Sequence, residues 1–192
     1  MKPNYLKINE INLSEIFPLV VFDTETTGLK PQECEIIEVS AIKYGHGFEV
    51  IDTYSTYCRP LFGIPEITKS IHHLDEKILA PYKPFAFYRD EFQQFIDGCN
   101  LLGYNTGFDI GFLEANGVIF DENVKYIDAC RIAKKKYKRR PKCNEKPCDD
   151  WIVEGHKLTQ MCDYFGIDCR NAHDSLADCK MTAEVLEAML KD

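Results

Sequence analysis

Two acidic residues stand two apart at Asp23 and Glu25, a third lies at Asp109, and a fourth, Asp178, follows His173 by five positions. Carboxylates in that number are hard oxygen ligands, suited to Mg²⁺ or Mn²⁺ where zinc would draw on His and Cys. Two such ions about 3.5–4 Å apart hold both the attacking and the leaving oxygen of a phosphodiester. A neutral histidine beside them can take the proton from the attacking water, because imidazole titrates near neutral pH. The chemistry these residue types suggest is metal-assisted hydrolysis.

Each residue also has a plainer reading. Asp23 and Glu25 close the apolar run 18–22, which reads as a buried strand. Side chains at i and i+2 of a strand share a face, so both carboxylates point the same way at its open end. An isolated Asp-x-Glu pair there is usually a solvated strand end. Asp109 follows Asn105-Thr106-Gly107 where a helix should begin, and a helix cap is its plain reading. Asp178 is more telling. In the helix expected over 174–190 it lines up with the inward stripe Met181, Thr182, Val185, Ala188 and Met189. A carboxylate on that face is costly unless it is paired or bound to metal. His173 is expected just before the helix, in the loop that Asp174 or Ser175 caps, where it can swing over the same site. A core histidine is the plain alternative, and the inward Asp178 beside it weakens that alternative.

The elements that must position these groups read coarsely from pattern. Segments 36–44 and 48–57 are β-rich, with Gly45-His46-Gly47 as the hairpin turn between them. Helices are expected over 68–79 and 90–97, separated by the proline-rich break 81–84. Residues 101–104 form a strand, followed by a helix through Phe108, Ile110, Phe112 and Leu113. A strand over 124–127 and a helix over 128–137 come next, and helices over 156–165 and 174–190 end the chain. Strands in a meander, then strand and helix in alternation, predict an α/β fold: a mixed central sheet flanked by helices. Residues 1–17 read as an N-terminal extension and 18–192 as one domain. Within it 138–155, with Pro141, Pro147 and Asp149-Asp150, is an inserted loop.

The bulk numbers narrow the class. A chain of 192 residues, 45% hydrophobic and 28% charged, is that of an ordinary soluble domain with one substantial core. No apolar run suits a signal peptide or a membrane span. The nine cysteines are odd in number and lie mostly in apolar runs, which fits buried free thiols in a reducing cytoplasm. A net charge of −8 argues against a basic nucleic-acid coat protein, but not against an enzyme that grips a strand end through cations. Basic residues concentrate at Arg131, Lys134, Lys135, Lys136, Lys138, Arg139, Arg140 and Lys142, with no acid among them, so the rest of the chain is more acidic still. That segment is either a solvated helix end or a place to neutralise phosphates upstream of the scissile bond. Cys143, Cys148 and His156 offer three zinc ligands, short of the closed set of four, so a plain surface loop is expected there.

Phe22-Asp23-Thr24-Glu25-Thr26-Thr27-Gly28-Leu29, Asn105-Thr106-Gly107-Phe108-Asp109-Ile110-Gly111-Phe112-Leu113 and His173-Asp174-Ser175-Leu176-Ala177-Asp178 resemble, in order, the three motifs of the DEDD exonucleases. The His-x4-Asp form of the third is that of the histidine, DEDDh (DnaQ-like), branch. Within it the chain is most similar to the proofreading epsilon subunits of bacterial DNA polymerase III, from about Pro18 to Leu190. The resemblance implies a ribonuclease-H-like fold and 3′→5′ release of 5′-mononucleotides. It implies that Asp23 bridges two ions, Glu25 and Asp178 hold the one carrying the nucleophilic water, Asp109 supports the other, and His173 is the base. It also implies that Leu29 is the apolar wedge under the terminal base, and that Ile71-His72 lie along the terminal nucleotide. Thr24, Thr26, Asn105 and Phe108 complete the implied substrate contacts. Where relatives carry Gly after that histidine, this chain has His73, which puts the local turn in question.

The substrate so implied is the 3′ end of DNA, preferably single-stranded, with RNA trimming on the same five residues as the rival and a catalytically idle interaction module as a weaker third. The chain ends two residues after the last expected helix, without the C-terminal tail of polymerase-bound proofreaders. A free-standing exonuclease, or one docked by another surface, therefore stands beside a polymerase-bound one.

Overall fold

The computed structural model describes residues 4–138 and 153–192. Three strands, β1 (Leu19–Thr26), β2 (Ile36–Tyr44) and β3 (Val50–Tyr57), form an antiparallel meander. Two short strands, β4 (Asn100–Gly103) and β5 (Tyr126–Asp128), add in parallel on the other side of β1. The sheet order is β3-β2-β1-β4-β5, so β1 is its central strand.

Alternation along β1 splits the core in two. Leu19 and Val21 face the last helix, α7 (Ser175–Lys191), together with Ile42 and Tyr44 of β2. On that face α7 buries Cys179, Val185, Leu186 and Met189, and Ile132 of α5 (Ala129–Lys136) and Met161 of α6 (Leu158–Phe165) join them. Val20 and Phe22 point the opposite way, into a cluster with Phe92 of α3 (Arg89–Ile96) and Phe112 and Leu113 of α4 (Gly107–Ala115). The mixed sheet with helices on both faces is the architecture expected from the order of elements.

The expected helix over 68–79 is instead two short ones, α1 (Glu66–His72) and α2 (Glu76–Leu79). His73 breaks the run in the left-handed region, at φ 58°, and its N–H closes on the carbonyl of Lys69 at 2.8 Å. The break turns Leu74 inward against Ile37, Ile64 and Leu79. Asp75 then caps α2, accepting from the N–H groups of Lys77 and Ile78. The left-handed turn that glycine would supply freely is thus kept, with histidine carrying its steric cost.

The N-terminal segment packs back on the sheet. Tyr5 bridges Tyr126 in parallel, the N–H of Leu6 donates to the carbonyl of Tyr126 at 2.8 Å, and Ile16 is buried in the α7-side core. The segment covers the edge of β5, which would otherwise offer unpaired backbone groups.

Because His73 is exposed, its substitution tests the backbone alone. His73→Val should lower stability by about 1–2 kcal/mol, while His73→Gly should hold or raise it. Urea midpoints of the two variants would show this, and equal midpoints would mean the turn carries no strain.

Candidate active site

The site is built at the open end of β1. The same alternation that sends Leu19 and Val21 toward α7 sends Asp23 and Glu25 there too, half-buried at the rim. Asp178 reaches them from the first turn of α7. Side-chain ligand atoms of Glu25, Asp178 and His173 all lie within 4.8 Å of one another. His173 sits in the loop ahead of α7 with φ 72°, as expected, and its backbone N–H donates to Asp178 at 3.3 Å. Asp174 caps the helix by accepting from the N–H of Ala177 at 2.9 Å.

Asp109 arrives from the other face of the sheet. Its carboxylate is buried and accepts from the backbone N–H of Thr24 at 3.1 Å and from the Thr24 hydroxyl at 2.7 Å. Thr24 points to the α4 side because its two neighbours point to the α7 side. Those two hydrogen bonds stitch α4 to β1 and hold Asp109 beside Asp23.

Electrostatically the arrangement is unfavourable as it stands. Burial, and then repulsion from Asp109, Asp178, Glu25 and Glu38, push the Asp23 carboxyl well above the usual carboxylate range. Burial and repulsion from Asp178, Glu38 and Asp109 lift Glu25 to about 8. Asp109 rises to about 7 by burial, against the pull of its Thr24 hydrogen bonds. Asp178 rises to about 6, again by burial, moderated by the His173 N–H. Carboxylates gathered with so little cationic compensation have the chemistry of a hard divalent cation site. Asp23, Glu25, Asp109 and Asp178 are the residues that could hold such ions.

The remaining residues singled out in the sequence lie around this centre. Thr26 donates its hydroxyl to the carbonyl of Gly28 at 2.7 Å, fixing the turn that leaves Leu29 82% exposed. Both Thr24 and Thr26 therefore spend their hydroxyl protons inside the protein. Ile71 is exposed, whereas His72 is buried. The Nδ1 of His72 accepts from the N–H of Leu74 at 3.0 Å, which places the ring proton on Nε2. That Nε2–H is buried and has no partner among the described residues. Asn105 adopts φ 65° with its side chain exposed, and its N–H donates to Asp128 at 3.2 Å. Phe108 is half-buried, its ring 5.0 Å from that of Phe112.

Two supporting residues lie outside the sequence motifs. Asp128 holds the Asn105 turn and also caps α5 through the N–H of Arg131. Its signal was an acid at a strand-to-helix junction. Glu38 lies directly across from Glu25 in the sheet. Its signal was a charged residue in register with the buried Ile42 and Tyr44.

The basic segment divides. Arg131 lies over the Tyr5 ring, and Lys136 donates to the Met189 carbonyl at the end of α7. Lys134 instead lines a groove that runs from His173 and Asn105 along His156, Lys157 and Gln160. Arg139, Arg140 and Lys142 lie outside the described residues, as do Cys143, Cys148 and most of the inserted loop. His156 places its Nε2 2.9 Å from the carbonyl of Tyr137, a bond inside the fold. The seven cysteines at 34, 58, 99, 130, 162, 169 and 179 are free thiols. Among the described residues no helix is long and apolar enough to cross a membrane.

A mixed five-stranded sheet with carboxylates from both faces meeting at the end of its central strand is the ribonuclease-H-like nuclease architecture. The exonuclease family model matches residues 20–186, and the chain belongs to that family, in its DEDDh, DnaQ-like branch. It is similar to the PolC-type DNA polymerase III of Lacticaseibacillus paracasei, 29% identical over 177 residues, and to that of Clostridium perfringens, 28% identical over 174. Each alignment covers 90% of this chain but 11% of the polymerase, so the chain spans about a ninth of those relatives' length. Among solved structures, E. coli exonuclease I in complex with a dT13 oligonucleotide superposes with a TM-score of 0.73 at 21% identity, covering 90% of this chain and 40% of that one. Exonuclease X in complex with 5′ overhanging duplex DNA superposes with a TM-score of 0.65 at 18% identity, covering 91% and 92%. At these identities the two structures show the shared fold.

The raised carboxyls give a signed expectation for the metal-free protein. Above about pH 4 the unfolded chain has released protons that the folded site still holds. Stability therefore falls as pH rises from there through the folded values of about 6, about 7 and about 8. In chelator, Tm should be higher near pH 5 than near pH 8, and saturating Mg²⁺ should close the gap. A Tm that rises across that span in chelator would contradict the repulsion described here.

Proposed function

We propose that this protein removes nucleotides one at a time from the 3′ end of DNA, preferably single-stranded, releasing 5′-mononucleotides, and that it can serve proofreading beside a DNA polymerase. The observation that carries this reading is the meeting of Asp23, Glu25, Asp109 and Asp178 at one strand end with His173 over them. The DNA-polymerase relatives support DNA as substrate, and the free thiols suit a reducing cytoplasm.

In this reading the four carboxylates hold two Mg²⁺ or Mn²⁺ ions, which supply Lewis-acid activation of water and of the leaving oxygen. Hard ions prefer oxygen, which leaves the His173 imidazole free to take the proton from the attacking water. Leu29 lies under the terminal base and Ile71 flanks it. His72 lies beneath Ile71 with its Nε2–H buried, and its bond to the Leu74 N–H holds the turn that carries Ile71. Asn105 and Phe108 flank the strand on the α4 side. From there the groove carrying Lys134 and Lys157 takes the upstream phosphates, so only part of the basic segment is engaged.

Three measurements test this. His173→Ala should lose about 10²–10⁴ in turnover while still binding Mn²⁺, and near-normal turnover would assign the proton to another group. Matched single-stranded DNA and RNA oligonucleotides should be shortened stepwise from the 3′ end in Mg²⁺, DNA faster, with no activity in excess chelator. Faster shortening of RNA would make the enzyme an exoribonuclease. Replacing Lys134 and Lys157 with Ala should weaken binding of long oligonucleotides and flatten the log-affinity against log-salt slope by about 0.7 for each phosphate no longer neutralised. Hydrolysis of a dinucleotide should hardly change, and equal impairment on both substrates would place the lysines' effect in the fold.

A further inference from the structure

Leu29 and Ile71 have a place in the proposed hydrolysis, but two further apolar side chains beside them do not. Leu61 and Phe62, in the loop between β3 and α1, are 70% and 76% exposed. With Ile67 on the exposed side of α1 they extend the Leu29–Ile71 pair into an apolar rim. Large apolar side chains gathered in water mark a contact surface.

Polar tethers hold this loop in place. The Glu35 carboxylate accepts from the N–H of Leu61 at 2.8 Å through one oxygen and from the N–H of Phe62 at 2.9 Å through the other. Bonds to a carboxylate are the stronger kind, and a pair of them fixes orientation as well as distance. Glu35 is in turn tied to the base of the Leu29 turn. Its N–H donates to the Thr27 hydroxyl at 2.9 Å, and its carbonyl accepts from the Thr27 N–H at 2.9 Å. The loop is fixed at both ends as well, the N–H of Cys58 donating to the Ile37 carbonyl and that of Ile64 to the Glu76 carboxylate. Ile64 turns inward against Ile37, Leu74 and Leu79, while Leu61 and Phe62 stay in water. Loop 58–64 and the Leu29 turn are thus braced together, with their apolar tips exposed.

Their place in the sheet decides what these tips can touch. Glu35 directly precedes β2, so the loop lies on the β2 side of β1. The groove with Asn105 and Lys134 lies on the opposite side, beyond β4 and β5. In the proposed reading the strand comes in along that groove and ends at Leu29. A single strand has nothing beyond its own 3′ end, and in a duplex only the complementary strand continues there. Its phosphates find little attraction at the loop, because the lysines nearby are engaged with acids, Lys30 with Glu33, and Lys69 with Glu66 and Glu76. An aromatic and an aliphatic side chain suit instead the face of an unpaired base, whatever its sequence. We propose that Leu61 and Phe62 receive the complementary-strand base left unpaired when the terminal nucleotide enters the site, and so let the enzyme trim paired 3′ ends. The inference rests on the 3′-end reading for the direction of the strand.

The test uses one labelled oligonucleotide, alone and annealed to a longer complement that leaves a 5′ overhang. Wild type is compared with the double variant Leu61→Ala/Phe62→Ala, with Phe62→Trp and with Glu35→Ala. Both loop side chains are exposed, so their truncation leaves the core intact. In Mg²⁺ the double variant should shorten the duplex about 5–50-fold more slowly, the usual effect of losing one base stacked on protein, while trimming the single strand at close to the wild-type rate. Phe62→Trp should keep the duplex rate, since it keeps a stacking face. Glu35→Ala, which frees the loop backbone, should slow the duplex in the same direction. Equal slowing of both DNAs by the double variant would put the loop on the scissile strand and overturn the proposal, as would unchanged rates on both. Binding would be measured in proteins that also carry Asp23→Ala, to stop turnover. There the double variant should bind the duplex more weakly than its parent and the single strand equally well. A wild type that shortens neither DNA would sink the exonuclease reading. The affinities would then decide the role of the loop by themselves, and an undiminished affinity for the duplex would overturn it.

Discussion

Mutual repulsion among carboxylates at the end of β1 is the constraint that the rest of the structure serves. Left to themselves in a chain, Asp23, Glu25, Asp109 and Asp178 would stay apart. Folding brings them together at the edge of water and lifts their proton affinities, Glu25 to about 8. The two core clusters that pack on either face of β1 meet the cost. Such a site is preorganised at the expense of the empty protein and is relaxed by cations, which links folding to metal binding.

The fold opposes that repulsion with hydrogen bonds from several directions. Thr24 holds Asp109 by two donors, the His173 N–H holds Asp178, and Asp128 fixes the left-handed turn at Asn105. Most of these donors are backbone groups or short hydroxyls, which lose little entropy on being fixed. Long cationic side chains, which would compete with bound ions for the carboxylates, are kept to the periphery. Arg131 lies over Tyr5 and Lys136 on the end of α7, while Lys134 stands along the groove.

Much of this was legible in the sequence because the signals are periodic. Two-residue alternation places Asp23 and Glu25 on one face, and the inward stripe of α7 brings Asp178 to them, as the structure shows. The mixed sheet and its flanking helices followed from the order of apolar runs. The break at His73 was not legible in the periodicity, because a helical pattern spans it; only the resemblance, with glycine in relatives at that position, marked a turn there, and the turn itself depends on where Leu74 finds its pocket. The Thr24–Asp109 contact was equally hidden. It joins residues 85 positions apart through hydroxyl and amide donors that leave no periodic trace. Nor does alternation alone reveal that Glu38 is almost wholly buried across from Glu25.

The crossing of Thr24 and Asp109 through the plane of the sheet has a consequence for synthesis. One carboxylate of the site depends on the α4-side cluster and another on the α7-side cluster, and α7 is the last of these elements to leave the ribosome. A growing chain that has folded its meander and its first helices still lacks both Asp178 and His173. In the proposed reading the hydrolytic centre is therefore incomplete until α7 docks.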